Sequence, residues 1–342
     1  MRILFDAYGG DNTPDEAIKA ARLAKDQYPI ELTLVGDSAA IAHRAGQLGV
    51  SLDGIDLHHA PTAITMEDEP TDVLKRLSDC SMAEGLRLLH QGEGDAFVSG
   101  GNTGALVVGA TMIVKRIKGV KRAALTALIP SATGNYLLLD VGANADCRPE
   151  MLAQFAVMGS AYMEKIVGVK EPRVGIANIG TEEHKGTDLQ RQALALLKDA
   201  PINFIGNAEV RDVPLGCADV VVCDGFTGNV MLKLTEGLAK MFVGELKQVL
   251  FKNLLTKMGA LTLSGSLKSF KQKLDYKKSG GAPLLGLTRP VIKAHGSSDA
   301  EAFQNAIRQA VSMVENRVVE TTEQAMTQLN SQLKQRAGAQ EQ

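Results

Sequence analysis

Asp95-Ala96-Phe97-Val98-Ser99 is a short run of mostly apolar residues, and Gly100-Gly101-Asn102-Thr103-Gly104 follows it before a small-residue stretch reaching about Ile117. An apolar run of this length closed by glycines reads as a buried strand, and the segment behind it reads as a helix. The same order occurs twice upstream. Arg2-Ile3-Leu4-Phe5 ends in Asp6 and Gly9-Gly10, after which Pro14 opens a stretch with helical spacing; Glu31-Leu32-Thr33-Leu34-Val35 leads through Gly36-Asp37 into an alanine-rich segment. Strand, short loop and helix in repeated order predict parallel strands in a sheet covered on both faces.

Downstream the pattern changes. The apolar runs 124–129 and 136–139 are separated by Pro130-Ser131-Ala132-Thr133-Gly134, a turn-rich gap that predicts an antiparallel hairpin and therefore a mixed sheet. A helix after Pro149, a strand at 174–177, a helix after Lys185-Gly186 and strands near 202–204 and 220–222 continue the alternation. The expected fold class is α/β: three αβα layers around a mixed, mainly parallel sheet. A boundary between two lobes would fall between Asp140 and Pro172, but no linker composition marks one there. A single unit is expected over residues 1–322, followed by a Gln-rich polar tail at 323–342 with a frayed end.

Composition narrows the function classes. A chain of 342 residues that is 45% hydrophobic is long enough for one large core or two lobes. A formal net charge of -2 gives no global field to gather nucleic acid, so any basic function is local. Cys80, Cys147, Cys217 and Cys223 form neither a C-x-x-C pair nor a zinc-ligand spacing, which predicts free, mostly buried thiols in a reducing compartment. The amino terminus lacks the pattern of a secretory signal, and no apolar run reaches the length of a membrane span.

Five glycine-bearing loops carry the candidate chemistry. Asp6-Ala7-Tyr8-Gly9-Gly10-Asp11 follows the first strand, where loops beyond strand carboxyl ends line ligand crevices. It matches neither the dinucleotide fingerprint nor the Walker pattern. Asp6 is expected to orient the loop, while Asp11 fits a helix cap or a ligand site. In Ser99 to Ala105, Gly101 and Gly104 permit close approach of an anion to helix amides, and Asn102 and Thr103 add side-chain donors; a plain cap and turn is the competing reading. Asn178 to Gly186 offers Lys185 to neutralise an oxygen and Glu182 to accept a proton or fix the lysine, unless the segment is only a charged surface turn. Asp224-Gly225-Phe226-Thr227-Gly228-Asn229 repeats the pattern, with Asn229 as donor or cap. Gly280 to Gly286 precedes Lys293-Ala294-His295-Gly296-Ser297-Ser298, in which His295 has the intrinsic pKa for proton transfer and Ser297 or Ser298 suits a helix cap. Neither a G-x-S-x-G elbow nor a cysteine beside a base is present, which disfavours covalent acyl-enzyme chemistry.

The segment 230–280 stands apart. Its ten lysines (233, 240, 247, 252, 257, 268, 271, 273, 277 and 278) against Glu236, Glu245 and Asp275 give 10 minus 3, a local charge of +7, with apolar residues interleaved. Gly259 and Ser264-Gly265-Ser266 offer places to break a helix. The segment reads as packed helix with a solvated basic face, or as a helical projection that touches an anionic membrane or acidic protein.

Taken together, the motifs resemble the bacterial phosphate acyltransferase family, which forms acyl phosphate from acyl-acyl carrier protein and inorganic phosphate. DAYGGD at 6–11, VSGGNTGAL at 98–106, LLDVGAN at 138–144, NIGTEEHKG at 178–186, CDGFTGNV at 223–230, then GGAPLLG and KAHGSS, occur in the family's order from Met1 to about Val318. The chain departs from the family at Tyr8, where methionine is usual, at Gly100, where alanine is usual, and at Ala123, where proline follows the arginine. The last change removes a φ restraint beside Arg122. The resemblance implies an isocitrate/isopropylmalate dehydrogenase-like fold and a cytosolic homodimer early in phospholipid synthesis, peripherally associated with the inner membrane surface. Its partners would be acyl carrier protein and inorganic phosphate, with no nucleic acid, no cofactor and no metal. The expected catalytic residues are Asn102, Thr103, Lys185, Lys293 and His295. Substrate or anion binding is expected at Asp6, Gly9, Gly10, Asp11, Gly101, Gly104, Asn144, Glu182, Gly228 and Asn229. A coenzyme A-dependent phosphate acyltransferase and a noncatalytic lipid- or carrier-binding regulator are the alternatives.

Overall fold

In the computed structural model of the chain, residues 1–267 and 280–340 are described, residues 333–340 by backbone alone. The first half alternates β1 (Arg2–Asp6), α1 (Asp15–Gln27), β2 (Glu31–Gly36), α2 (Ser38–Leu48), β3 (Ile55–His59), α3 (Ser81–Gln91), β4 (Ala96–Ser99) and α4 (Thr103–Gly109). The hairpin β5 (Ala124–Ser131) and β6 (Gly134–Leu139) follows, then α5 (Pro149–Tyr162), β7 (Val174–Asn178), α6 (Asp188–Leu197), β8 (Phe204–Glu209) and β9 (Val220–Val222). The chain continues through α7 (Gly225–Leu250), α8 (Leu254–Thr262), β10 (Ala282–Leu285), β11 (Val291–Lys293), α9 (Ala300–Glu315) and α10 (Val318–Gln340).

Among the described residues, eleven strands join one sheet in the order β3-β2-β1-β4-β11-β10-β5-β6-β9-β7-β8. Strands β3, β2, β1, β4 and β11 are mutually parallel, as are β6, β9, β7 and β8; β10 and β5 run antiparallel to their neighbours between the two groups. Following the directions across these pairs, the carboxyl ends of the two groups face opposite edges of the sheet. Alternation along the strands feeds two cores: Ile3, Phe5 and Val98 pack under α1 and α9, whereas Leu4 and Phe97 pack under α3 and α4 on the other face. The fold is therefore the mixed, mainly parallel αβα sandwich that the strand and loop pattern predicts.

The join between the groups matters most for function. Strand β10 pairs with β5 only at Leu284↔Leu125 and Leu285↔Ala124, while Ala282 and Pro283 pair with β11 alone. Proline has no amide hydrogen to continue the ladder. Beyond Leu284 only the Thr126 hydroxyl still bridges the strands, donating to the Pro283 carbonyl at 3.0 Å. The sheet parts there and leaves room for a cavity.

Several elements differ from the sequence reading. The stretch read as a glycine-proline loop contains β10, and β11 follows in the next apolar triplet; both are too short for periodicity to register. Strand β3 and helix α3 escaped notice, β3 because its residues are largely polar at a sheet edge. Strand β8 begins where the 202–204 run ends and continues through Gly206, Asn207 and Glu209. The stretch after α4 closes as a π-helical turn at Ala110–Val114. Helix α10 runs through the segment read as a polar tail, and its buried Met326 and Leu329 pack against α5. Gly259 lies inside α8; the break falls at 251–253, where Asn253 caps α8 in a reciprocal box with Thr256. Helices α7 and α8 expose Phe242, Val249, Leu254, Leu255, Met258 and Leu261. Of the ten lysines, 268, 271, 273, 277 and 278 lie outside the described residues, as does Asp275.

Candidate active site

Three loops meet at the carboxyl ends of β1, β4 and β11. Asp6 is buried, and its carboxylate accepts the Ser99 hydroxyl at 2.6 Å and the Tyr8 amide at 3.1 Å. Burial raises the Asp6 pKa, and these donors oppose the rise. Ser99 in turn accepts the Gly101 amide at 3.1 Å. Gly9 closes this knot, since a Cβ there would lie 2.5 Å from both the Asp6 carboxylate and the Ser99 hydroxyl. The Asp11 amide donates to the Gly296 carbonyl at 2.7 Å and ties the β1 loop to the β11 loop.

Lys293 ends β11 beside Ser99 of β4. Its ammonium is buried and donates to the carbonyls of Gly100, at 3.0 Å, and Ala294. An ammonium has three N–H groups, so two bonds leave one donor for the cavity that Lys293 lines. Burial lowers its pKa from 10.5 to about 8, with Asp11 and Asp6 pulling it back up. His295, two residues on, is exposed at the cavity rim, yet partial desolvation first, then Lys293 and Lys233, hold its pKa below the ordinary value.

The cavity measures about 590 Å³. One end is polar, with Asp11, Thr103, Lys293, His295, Ser297 and Ser298; Lys233 and Glu236 of α7 reach it as an ion pair 3.2 Å apart. The long wall is apolar, built from Leu125 through Pro130 of β5 together with Leu232 and Ala239 of α7 and Met66. Gly104, Gly142 and Asn229 also line the space.

Of the residues expected at the site, the structure thus gathers Asp11, Thr103, Gly104, Asn229, Lys293 and His295 around one space. Others hold its walls. Asn102 caps α4, accepting the Ala105 amide at 3.1 Å and donating to the Thr65 and Asp68 carbonyls at 3.2 Å each. Asn144 donates to the Ala123 carbonyl and the Asp140 carboxylate, both at 2.8 Å. Gly228 lets α7 lie on the sheet, because a Cβ there would come 1.9 Å from the Asp140 carbonyl. Gly10 and Gly101 sit in the loop knot, with Met82 packed over Gly101. Two of the alternative cap readings are corrected: Asp224 caps α7 and Asp299 caps α9, leaving Asn229 and the two serines to the cavity. Asp11 caps no helix, as α1 begins at Asp15 with Pro14 at its N-cap position and no side-chain cap.

Lys185 and Glu182 lie elsewhere. Their loop follows β7, two strand spacings or about 10 Å beyond β6, and neither residue lines the cavity. Lys233, Glu236 and the apolar wall were missed by sequence reasoning. A signal existed: Lys233 and Glu236 follow Asn229 by four and seven residues and share its helix face. The cysteines offer no activated thiol, since burial raises Cys80 to about 11 and Cys147 to about 12.

Known proteins place this geometry in context. The family model described as fatty acid synthesis protein matches residues 1–321. A phosphate acyltransferase from Alkaliphilus oremlandii is 46% identical over 96% of this chain and 98% of its own. One from Caldanaerobacter subterraneus is 47% identical over 93% of this chain and 95% of its own. Among solved structures, a phosphotransacetylase from Streptococcus pyogenes superposes with a TM-score of 0.66 at 19% identity, covering 94% of each chain. A putative 4-hydroxythreonine-4-phosphate dehydrogenase from Salmonella typhimurium gives 0.54 at 13% identity, covering 91% of this chain and 99% of its own. The last two share the fold; the match over nearly the whole sequence shows more, and the chain belongs to the phosphate acyltransferase family of fatty acid synthesis proteins.

Proposed function

We propose that this protein transfers a fatty acyl group from acyl-acyl carrier protein to inorganic phosphate, giving acyl phosphate and free carrier early in phospholipid synthesis. The observation that carries this reading is the union, in one cavity, of a polar end bearing Lys293 and Lys233 with an apolar wall along β5 and α7. A volume of about 590 Å³ lies within the usual range for small-molecule sites. The polar end suits a phosphate dianion, and the wall suits an alkyl chain.

Phosphate is itself a competent nucleophile. Its second ionisation lies near pH ~6, so the dianion is abundant at neutral pH. One oxygen attacks the thioester carbonyl, negative charge gathers on the carbonyl oxygen, and the carbon–sulfur bond then breaks toward sulfur. Lys293 supplies a buried positive donor for this charge, and Thr103 adds a hydroxyl at the start of α4. The test is incubation with labelled inorganic phosphate and either long-chain acyl-acyl carrier protein or the matched acyl-coenzyme A, with acyl phosphate measured directly. Faster product formation from the carrier protein is expected. Preference for coenzyme A would favour that acyl donor, and no product from either would leave the binding-regulator reading.

The exposed apolar faces of α7 and α8 support two further parts of the proposal, pairing with a second copy and peripheral contact with an anionic membrane. No described helix is long and apolar enough to cross a membrane. Sedimentation velocity without lipid and liposome co-sedimentation at low and high salt read the two separately.

A further inference from the structure

Ser297 and His295 occupy one short turn at the polar end of the cavity. The Ser297 amide N–H points at His295 Nδ1 from 3.2 Å, and the Ser297 hydroxyl lies 2.9 Å from the same nitrogen. An amide N–H only donates, so Nδ1 must accept, and in a neutral ring the proton then sits on Nε2. A proton on Nδ1 would set two N–H groups head to head. We propose that Ser297 is a positioning residue that holds His295 as its Nε2–H tautomer, so that a neutral ring donates a hydrogen bond, not a proton, to the oxyanion of acyl transfer. This inference rests on the acyl-transfer reading given above.

The surroundings favour the same state. Partial desolvation at the cavity rim and the two cations Lys293 and Lys233 disfavour an imidazolium, and the carboxylates Glu236 and Asp11, which act the other way, are the weaker influences. A neutral histidine is a useful electrophile where charge develops on a carbonyl oxygen.

Proton balance explains why a donor suffices. A hydrogen phosphate dianion attacks through an unprotonated oxygen; the carbon–oxygen bond forms and the carbonyl π pair moves onto oxygen. Collapse breaks the carbon–sulfur bond, and its electron pair goes to sulfur. The hydroxyl proton still carried by the transferred phosphate then passes to the thiolate, leaving acyl phosphate dianion and free thiol. A neutral histidine that lost Nε2–H instead would become an imidazolate, a far stronger base than a thiolate. Such a transfer would run uphill.

The experiment is nitrogen NMR of the full chain with ¹⁵N-histidine at about pH 7.5, the His295 signal being assigned by its loss in His295→Gln. A neutral Nε2–H ring is expected. An Nδ1–H tautomer or an imidazolium would overturn the proposal, whether or not the protein turns over any substrate. Kinetics form the second arm. His295→Ala should lower kcat by about 100-fold or more, and His295→Gln, which keeps an N–H near Nε2, should recover about tenfold of that. Glutamine no better than alanine would point to proton transfer and reject the donor role. For Ser297, alanine should lower kcat about threefold to tenfold and raise the His295 pKa toward its ordinary value, with the phosphate KM unchanged, while threonine restores both. Alanine and threonine behaving alike would remove the Ser297 hydroxyl from the assignment and leave only its main-chain N–H, which alanine keeps. If wild type makes no acyl phosphate, the acyl-transfer reading fails, and the spectrum still reports the tautomer.

Discussion

The loop behind β11 and the loop behind β7 are written in the same vocabulary. Each leaves an apolar strand, carries a lysine next to or near a histidine, includes glycine and enters a helix: Lys293 with His295 in one, Lys185 with His184 in the other. Their surroundings differ. Lys293 is the last residue of a central strand, buried at the inner edge of the first parallel group, with its ammonium fixed on two carbonyls. Lys185 lies seven residues past β7, in a loop that closes on itself: Asn178 donates to the Lys185 carbonyl, the Lys185 amide donates to the Glu182 carbonyl, and Asn207 donates to that same carbonyl. The same residue types thus stand in two settings, and only the β11 loop brings its lysine to the cavity.

The largest effect that this contrast implies falls on Lys293. Lys293→Met keeps the stem volume and removes the buried cation, and should lower kcat by about 100- to 1000-fold, the usual cost of a lost donor to developing negative charge. Steady-state kinetics at varied phosphate, with circular dichroism to check folding, make the comparison. Near wild-type turnover in the folded variant would break the contrast between the two loops.

The same burial makes activity and stability respond oppositely to pH. Folded Lys293 releases its proton near pH 8, whereas the unfolded chain keeps it to about 10.5. Between these values the unfolded state binds more protons, so the group's contribution to stability rises with pH across that window; its cost is fully present below 8. The difference corresponds to about 3 kcal/mol. Turnover that needs the ammonium should instead fall as pH rises through about 8. Denaturant unfolding at either end of the window should show a pH-linked gain in wild type that Lys293→Met lacks. Parallel pH slopes in the two proteins would argue that the ammonium is solvated.

A smaller effect separates wall from site. With its amide oxygen on the Ala105 N–H and its amide nitrogen on two carbonyls, Asn102 acts as a brace. Asn102→Ala should cost about 1 to 2 kcal/mol of stability and slow the folded enzyme far less than Lys293→Met. A thermal or denaturant midpoint that does not move, joined to a large loss of kcat, would restore a direct chemical role.

Asn102 also shows how much was legible in advance. The strand-glycine-helix order located β1, β2, β4 and the loops that meet at Lys293, because apolar runs ending in glycine have a strong period and clear stops. The same letters at Asn102 fit a cap and an anion donor, and only the carbonyls of Thr65 and Asp68, more than thirty residues away, separate the two. The apolar wall was illegible for a related reason: Leu125 to Ile129 reads as core, and nothing local says that β10 parts from β5 above Leu284. Lys233 hid in a segment whose lysines read collectively as a solvated face. Long-range placement, not residue chemistry, was the missing information.

The smallest effect is expected at Lys185, and it tests the comparison most sharply. Lys185→Ala removes a positive charge from a loop whose backbone bonds run through main-chain atoms and the side chains of Asn178 and Asn207, so the loop should keep its shape. Since the side chain does not line the cavity, the phosphate KM should rise by no more than about twofold and kcat should stay within about twofold, the scale of a screened, half-buried charge. The same kinetics done at low and high salt should show even that change fading. If Lys185→Ala instead raised the phosphate KM tenfold or more at both salt concentrations, the lysine would have to reach phosphate from outside its own protomer's cavity. Mixed samples of Lys185→Ala and Lys293→Met proteins would then decide the route. Recovered turnover on mixing would show one copy's Lys185 serving the other's Lys293, and no recovery would leave Lys185 acting within its own chain.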